Sequence, residues 1–360
     1  MNSAIRTPSA AWLAGLILVA ATFDATAAEQ APVMHEALPH HLRSRVQTQQ
    51  EALFPSAALH AAHGVVNRLK AWPPEIQSVK VCFFGGTEAL RRQIINVASR
   101  WHVAQSSVQL DFGGPAGKIC DPQRQYHIRI GYGYPGYWSL VGQDSYLLAS
   151  QGEQSLNLGY FNVAPPADPE FTQVILHEIG HALGFEHEHQ HPRSTCEQEF
   201  NWPVVYKELA GPPNYWEKGD VDFNMRVLLD DGLTLGPFDR RSIMLYTFAP
   251  HFYKNGRNSS CYAEGNDTLS QSDLALLAQV YPADGDALSN LRNGLATDYV
   301  DALTKADVGL GKELEAYVEL QKLNQGMLPA KAIAVFSPSS TKLPPNVQLP
   351  EELRNARPIG

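Results

Sequence analysis

No long run of lysine or arginine occurs in this chain of 360 residues. Its 28 basic residues are outnumbered by 37 acidic ones, for a formal net charge of −9. Nothing here invites a polyanion, and nucleic acid is not expected as a partner. Long apolar runs are scarce too. The only one of note is "AAWLAGLILVAA" at 10–21, about a dozen residues where a bilayer span needs about 20. Arg6 precedes it and the small residues of "ATAAEQ" follow it. That pattern fits an export signal cleaved near Ala27 or Ala28, leaving no stable membrane insertion afterwards and a secreted or periplasmic location. Cysteine is rare: Cys82, Cys120, Cys196 and Cys261, with no C-x-x-C pair. A cysteine-rich zinc knuckle is therefore disfavoured. In an exported chain, four cysteines suggest two disulfides, and three pairings are open.

The pattern of turns and periodic segments divides the rest. Residues 1–28 are the expected signal. Residues 29–72, punctuated by Pro39 and Pro55 and followed by the Pro73-Pro74 pair, read as a mainly helical prosegment or N-terminal arm. From 73 to 282 the pattern is strand-rich at first. "SVKVCFF" from Ser78 reads as a strand stopped by Gly85-Gly86, and "TEALRRQIINVASRW" as a helix with Thr87 as its cap. "SVQLDF", "YHIRIGYG" and "QSLNLGYF" read as further strands. "DPEFTQVILHEIGHALGF" follows as a long helix with Asp168 at its start and Gly184 at its stop. "SQSDLALLAQVYP", from Ser270, closes the region as a helix. The layout is α+β. Residues 283–336 read as a helical extension and 337–360 as a Pro-rich tail. Two disulfides would suit this layout as Cys82–Cys120, between the first strand and the start of the third, and Cys196–Cys261, though sequence alone leaves the other pairings open.

What the chain has in abundance, locally, is histidine. Five of its thirteen histidines fall between 177 and 191. His177 and His181 are four apart, which on a helix puts both rings on one face, one turn apart. Both could then reach a single zinc ion at about 2.1 Å. On a continuous helix His187 would lie about 15 Å further along the axis from His177. It could share the ion only if the chain turns after His181, and Gly184 is where it can turn, because glycine tolerates left-handed backbone angles. Three protein ligands leave a fourth position open, which separates a catalytic zinc from a closed structural one. Glu178, beside the first ligand, is placed to take a proton from a water at the metal. H-E-x-x-H alone arises by chance in roughly a few chains per hundred of such composition, and the fixed glycine and third histidine lower that by roughly a hundredfold or more. His189 and His191 lie outside this set and read as rim or solvated residues.

The pattern H-E-x-x-H-x-x-G-x-x-H, from His177 to His187, resembles that of the metzincin metallopeptidases. "SIMLY", from Ser242 to Tyr246, is similar to that family's methionine turn, with Met244 as the methionine. Within the metzincins, "HEIGHALGFEHEH" and "SIMLY" most resemble the astacin-like peptidases, with Leu245 where those have histidine. The resemblance covers roughly residues 72–282. It implies a twisted, mainly parallel N-terminal sheet, an active-site helix and a more irregular C-terminal subdomain. It further implies one catalytic Zn2+ ion, a protein or peptide substrate held by edge pairing near "GYWSLVGQ", Tyr246 as a mobile ligand or oxyanion donor, and a buried structural role for Glu188. An intramolecular inhibitory prosegment is a candidate partner. No cysteine precedes Cys82, so a cysteine switch is not expected. The expected activity is a zinc endopeptidase with Glu178 as general base. Two rivals stand beside it: a zinc-holding peptide-binding protein without turnover, and a zinc amidase acting on a non-protein substrate.

Overall fold

The computed structural model describes residues 38–53, 70–72, 76–212, 214–228, 236–285 and 287. The expected signal segment, part of the arm, nearly all of the helical extension and the Pro-rich tail lie outside the described residues.

Six short strands form one sheet: β1 (Ser78–Phe83), β2 (Gln109–Asp111), β3 (Lys118–Ile119), β4 (Ile128–Gly131), β5 (Tyr137–Ser139) and β6 (Leu156–Leu158). The order is β2-β1-β4-β6-β5, with β3 also pairing β1. All pairings are parallel except β5 with β6, where Trp138 lies opposite Asn157. All four residues of β4 and all three of β6 are buried, as central parallel strands require. Alternation along β6 is thus absent: Asn157 is buried between Leu156 and Leu158. Its amide is satisfied by donating to the carbonyls of Tyr134 and Gly136.

Helix α2 (Glu88–Ala98) starts at Thr87, whose hydroxyl accepts from the backbone N–H of Leu90 at 3.2 Å. Leu90, Ile94 and Val97 turn inward from it. They share a core with Val81, Phe83, Ile128 and Leu156 of the sheet and with α3 (Glu170–Ala182). Trp101, just beyond α2, donates its indole N–H to Leu176 O at 3.0 Å and so fixes α3 against this layer. Eleven of the thirteen α3 residues are buried, among them Thr172, His177, Glu178 and His181. Such a helix is enclosed, not laid on a surface.

The region after α3 is irregular. It contains α4 (Trp202–Leu209), α5 (Lys218–Met225) and, at the end, α6 (Gln271–Val280). A second core of Phe200, Val205, Trp216, Phe248 and Tyr253 lies here. The fold is the expected mixed α+β arrangement with a mainly parallel sheet. Cys82 bonds to Cys120 and Cys196 to Cys261, so each core is stitched by one disulfide.

Two parts of the expected arm are packed onto this body. Helix α1 (His40–Leu53) buries Leu42 and Val46 against Trp138, Leu140 and Ala149. Its Arg45 pairs with Glu153 at 2.8 Å and its Arg43 with Asp220 on α5 at 2.5 Å. Lys70 and Trp72, at the end of the expected arm, are buried at 7% and 3% exposure.

Candidate metal centre

The C-terminal half of α3 carries His177, Glu178 and His181, all buried. After Ala182 the chain must reverse, and Gly184 adopts φ +102°, a left-handed angle that favours glycine. The backbone N–H of Gly184 donates to His181 O and that of Phe185 to Gly180 O, closing the helix. The turn returns His187 to the first two histidines. Ring nitrogens of His177, His181 and His187 all lie within 4.8 Å of one another. His181 Nε2 is 3.1 Å from His177 Nε2 and 3.1 Å from His187 Nε2.

The tautomers follow from the other nitrogens. His177 Nδ1 is 2.8 Å from Ile243 O, and His181 Nδ1 is 2.7 Å from Phe185 O. A carbonyl oxygen only accepts, so each Nδ1 carries the proton. His187 Nδ1 lies 3.3 Å from the amide oxygen of Gln190. That amide is oriented by its own nitrogen, which donates to Phe223 O and Arg226 O at 3.1 and 3.0 Å. In the neutral form of the rings all three Nε2 atoms then turn lone pairs towards one another, at a separation where lone pairs repel. A cation among them removes the conflict. Tetrahedral ligands about 2.1 Å from a zinc ion sit roughly 3.4 Å apart, close to the spacing present. Three neutral imidazoles with their Nδ1 protons fixed by carbonyl groups are a donor set suited to zinc.

The methionine turn lies beneath. Ser242, Ile243 and Met244 are buried. A Cβ built on Gly180 would fall 2.4 Å from Met244 Sδ, so a side chain there would collide with the methionine. Ile243 O receives the His177 proton, and Ile243 N–H donates to Asp273 Oδ2 at 3.0 Å. Ser242 Oγ donates to the other oxygen of Asp273 at 2.6 Å. Asp273 also caps α6 together with Ser270. One buried carboxylate thus ties the closing helix to the turn that orients His177. Sequence reading left Asp273 unmarked, although "SQSD" carries the capping signature that placed it there.

Glu188, next to His187, bridges to the same turn. Its backbone N–H donates to Met244 O at 2.9 Å, and its carboxylate accepts from Asp239 N–H at 2.7 Å. Burial pushes its carboxyl up to about 8. Tyr246 is buried, its ring centre 4.0 Å from that of His187 and 5.6 Å from that of His177. His189 and His191 differ from the expectation of solvated residues: they are 1% and 7% exposed. His189 stacks on Tyr246 at 4.9 Å and bonds Asn224 O through Nε2, while His191 bonds Gly236 O. Neither belongs to the ligand cluster.

The "Astacin-like metalloprotease toxin 1" of Loxosceles intermedia is 36% identical over 74 residues, which are 20% of this chain and 24% of the toxin's own length. A solved structure of myroilysin is 28% identical, covers 60% of this chain and 97% of that one, and superposes with a TM-score of 0.51. Over its 74 matched residues the chain is similar to an astacin-like metalloprotease. A third similarity, 17% identical with a TM-score of 0.36 over 56% of this chain and 86% of the other, is to high choriolytic enzyme 1, a hatching enzyme zinc-protease from Oryzias latipes, the medaka fish. No model of a known protein family matches the chain. In this chain the three histidines, Glu178, Met244 and Tyr246 are brought together by α3 and the two turns that follow it. Among the described residues no helix is long and apolar enough to cross a membrane.

Proposed function

We propose that the protein is an exported zinc endopeptidase with one ion held by His177, His181 and His187. The observation that carries the proposal is the convergence of three Nε2 lone pairs beside a buried glutamate. A bound zinc ion supplies Lewis acidity at the centre. The chain's own groups do the rest. Glu178 accepts the proton of the attacking water and returns it to the leaving amine. Tyr246 donates its phenol proton towards the oxyanion that develops on the scissile carbonyl. Strand β5 ends the sheet order, and its outer edge is suited to pair with an extended peptide backbone. Glu188 and Met244 hold the floor on which the histidines rest.

Two disulfides and the signal-like segment at 1–28 support export. An inhibitory role for the arm is supported by the fastening of α1 to both Glu153 and Asp220. Removal of the α1 portion of the arm by limited proteolysis, with Lys70 kept in the chain, is then expected to raise activity. Casein or gelatin cleavage by the purified chain, lost on chelation and restored by zinc, is the expected result. A zinc-loaded, folded chain that cleaves neither substrate would favour the peptide-holding or amidase alternatives.

A further inference from the structure

The third ligand depends on a turn, and something must hold that turn in place. The end of α3 leaves carbonyl groups without helical partners. Gly142 N–H donates to His181 O at 2.8 Å, Trp72 Nε1 to Ala182 O at 2.8 Å, and the Tyr281 hydroxyl to Leu183 O at 2.5 Å. Tyr281 in turn accepts from the backbone N–H of Trp72 at 3.0 Å. The Lys70–Trp72 segment therefore lies over the reversal, with Ala71 Cα 3.3 Å from where a Gly184 Cβ would stand. The backbone of Lys70 is itself pinned, because its carbonyl accepts from Gln143 N–H at 2.7 Å.

From this anchored position the Lys70 side chain reaches Glu186, 116 residues later, with Nζ 3.0 Å from Oε1. The lysine side chain is 9% exposed and the glutamate 23%. Glu186 stands between the hinge Gly184 and His187, so this ion pair fastens the middle of the turn. Asp144 adds a second negative charge near the ammonium.

We propose that Lys70 is a positioning residue for the metal centre: its ammonium, through Glu186, sets the place of His187. The proposal deepens the zinc-endopeptidase reading and rests on it. It also means that any processing of the arm that preserves the centre must leave Lys70 in the chain.

The test is the zinc dissociation constant of the full chain, by competition with a chromophoric chelator. It is paired with the d–d absorption of the cobalt-loaded form and with the melting temperature of the metal-free form. Lys70→Met is expected to weaken zinc binding roughly 10- to 100-fold, as loss of outer-shell partners does, and Lys70→Arg to stay within about threefold of wild type. The cobalt bands should shift in the methionine variant. Should Lys70→Met fail to fold, Glu186→Gln, which keeps the shape and weakens the bond, is expected to change affinity in the same direction. A folded Lys70→Met or Glu186→Gln variant with wild-type zinc affinity and an unshifted cobalt spectrum overturns the proposal, even if it melts earlier. A wild-type chain that takes up no zinc overturns the metal-centre reading and the lysine's role together.

Discussion

The ring of Tyr246 lies nearly parallel to that of His189 and close to that of His187. If its phenol stabilises an oxyanion, Tyr246→Phe should lower kcat by about a hundredfold with little change in KM. Steady-state kinetics on one peptide would show this, and an unchanged kcat would remove the phenol from the chemistry. At this scale the sequence was most informative where spacing alone decides. The four-residue step from His177 to His181 and the glycine break before His187 are local facts. The burial of His189 and His191 was not legible, because it is imposed by Asn224 and Gly236, dozens of residues away. Lys70 was equally silent: a lone lysine in an arm gives no hint of a partner 116 positions on.

Elements show the same division. Helix α2 announced itself by its period and its Thr87 cap and α3 by its stop at Gly184, while the N-cap of α3 is Pro169 and not the expected Asp168; β1, β4 and β6 announced themselves by their β-branched and leucine-rich runs. Strand β3, two residues in a glycine-rich stretch, was hidden, since two residues show no period. Strand β5 was legible only through family resemblance. The methionine turn was read from "SIMLY", but its suspension from Asp273 on α6 needed the tertiary fold. Met244→Ala should cost about 2–5 kcal/mol, because a buried side chain packed on Gly180 leaves a cavity. Urea unfolding would report it, and an unchanged midpoint would contradict the packing described.

The β1–β4 pairing carries a pH dependence of known sign. His127 Nδ1 accepts from the backbone N–H of Lys80 at 2.9 Å, and burial, with Lys80 and Arg129 nearby, lowers its imidazolium to about 4 from an ordinary value of 6.5. The unfolded chain then binds more protons than the folded one between those values. Stability present above pH 6.5 should be lost as pH falls towards 4. Replacing His127 with Gln should flatten that part of the profile, and thermal melts from pH 4 to 7 would reveal a profile that stays steep.

On the scale of the whole molecule, the centre sits where two differently built regions meet. The sheet and α3 supply His177, His181 and Glu178. The irregular region supplies the carbonyl that fixes His177, the glutamine that orients His187, and Tyr246. The irregular half has short helices and no sheet of its own among the described residues. The Cys196–Cys261 bridge, closing a separation of 65 residues, therefore carries a large share of its stability. Converting both cysteines to serine should cost about 2–5 kcal/mol, seen as earlier unfolding with loss of zinc. Equal stability of the variant and the parent would show that the aromatic core around Phe200 and Phe248 suffices. The general layout of this half was legible only as a lack of pattern, since its order comes from aromatic packing between distant positions.

The central claim is that the histidine cluster holds a zinc ion at which Glu178 moves the proton of hydrolysis. The most direct measurement compares wild type with Glu178→Gln for bound zinc and for cleavage of one peptide substrate. The account predicts one zinc per chain in both, with kcat/KM reduced by about a thousandfold or more in the variant. A zinc-loaded variant that cleaves as fast as wild type would contradict it.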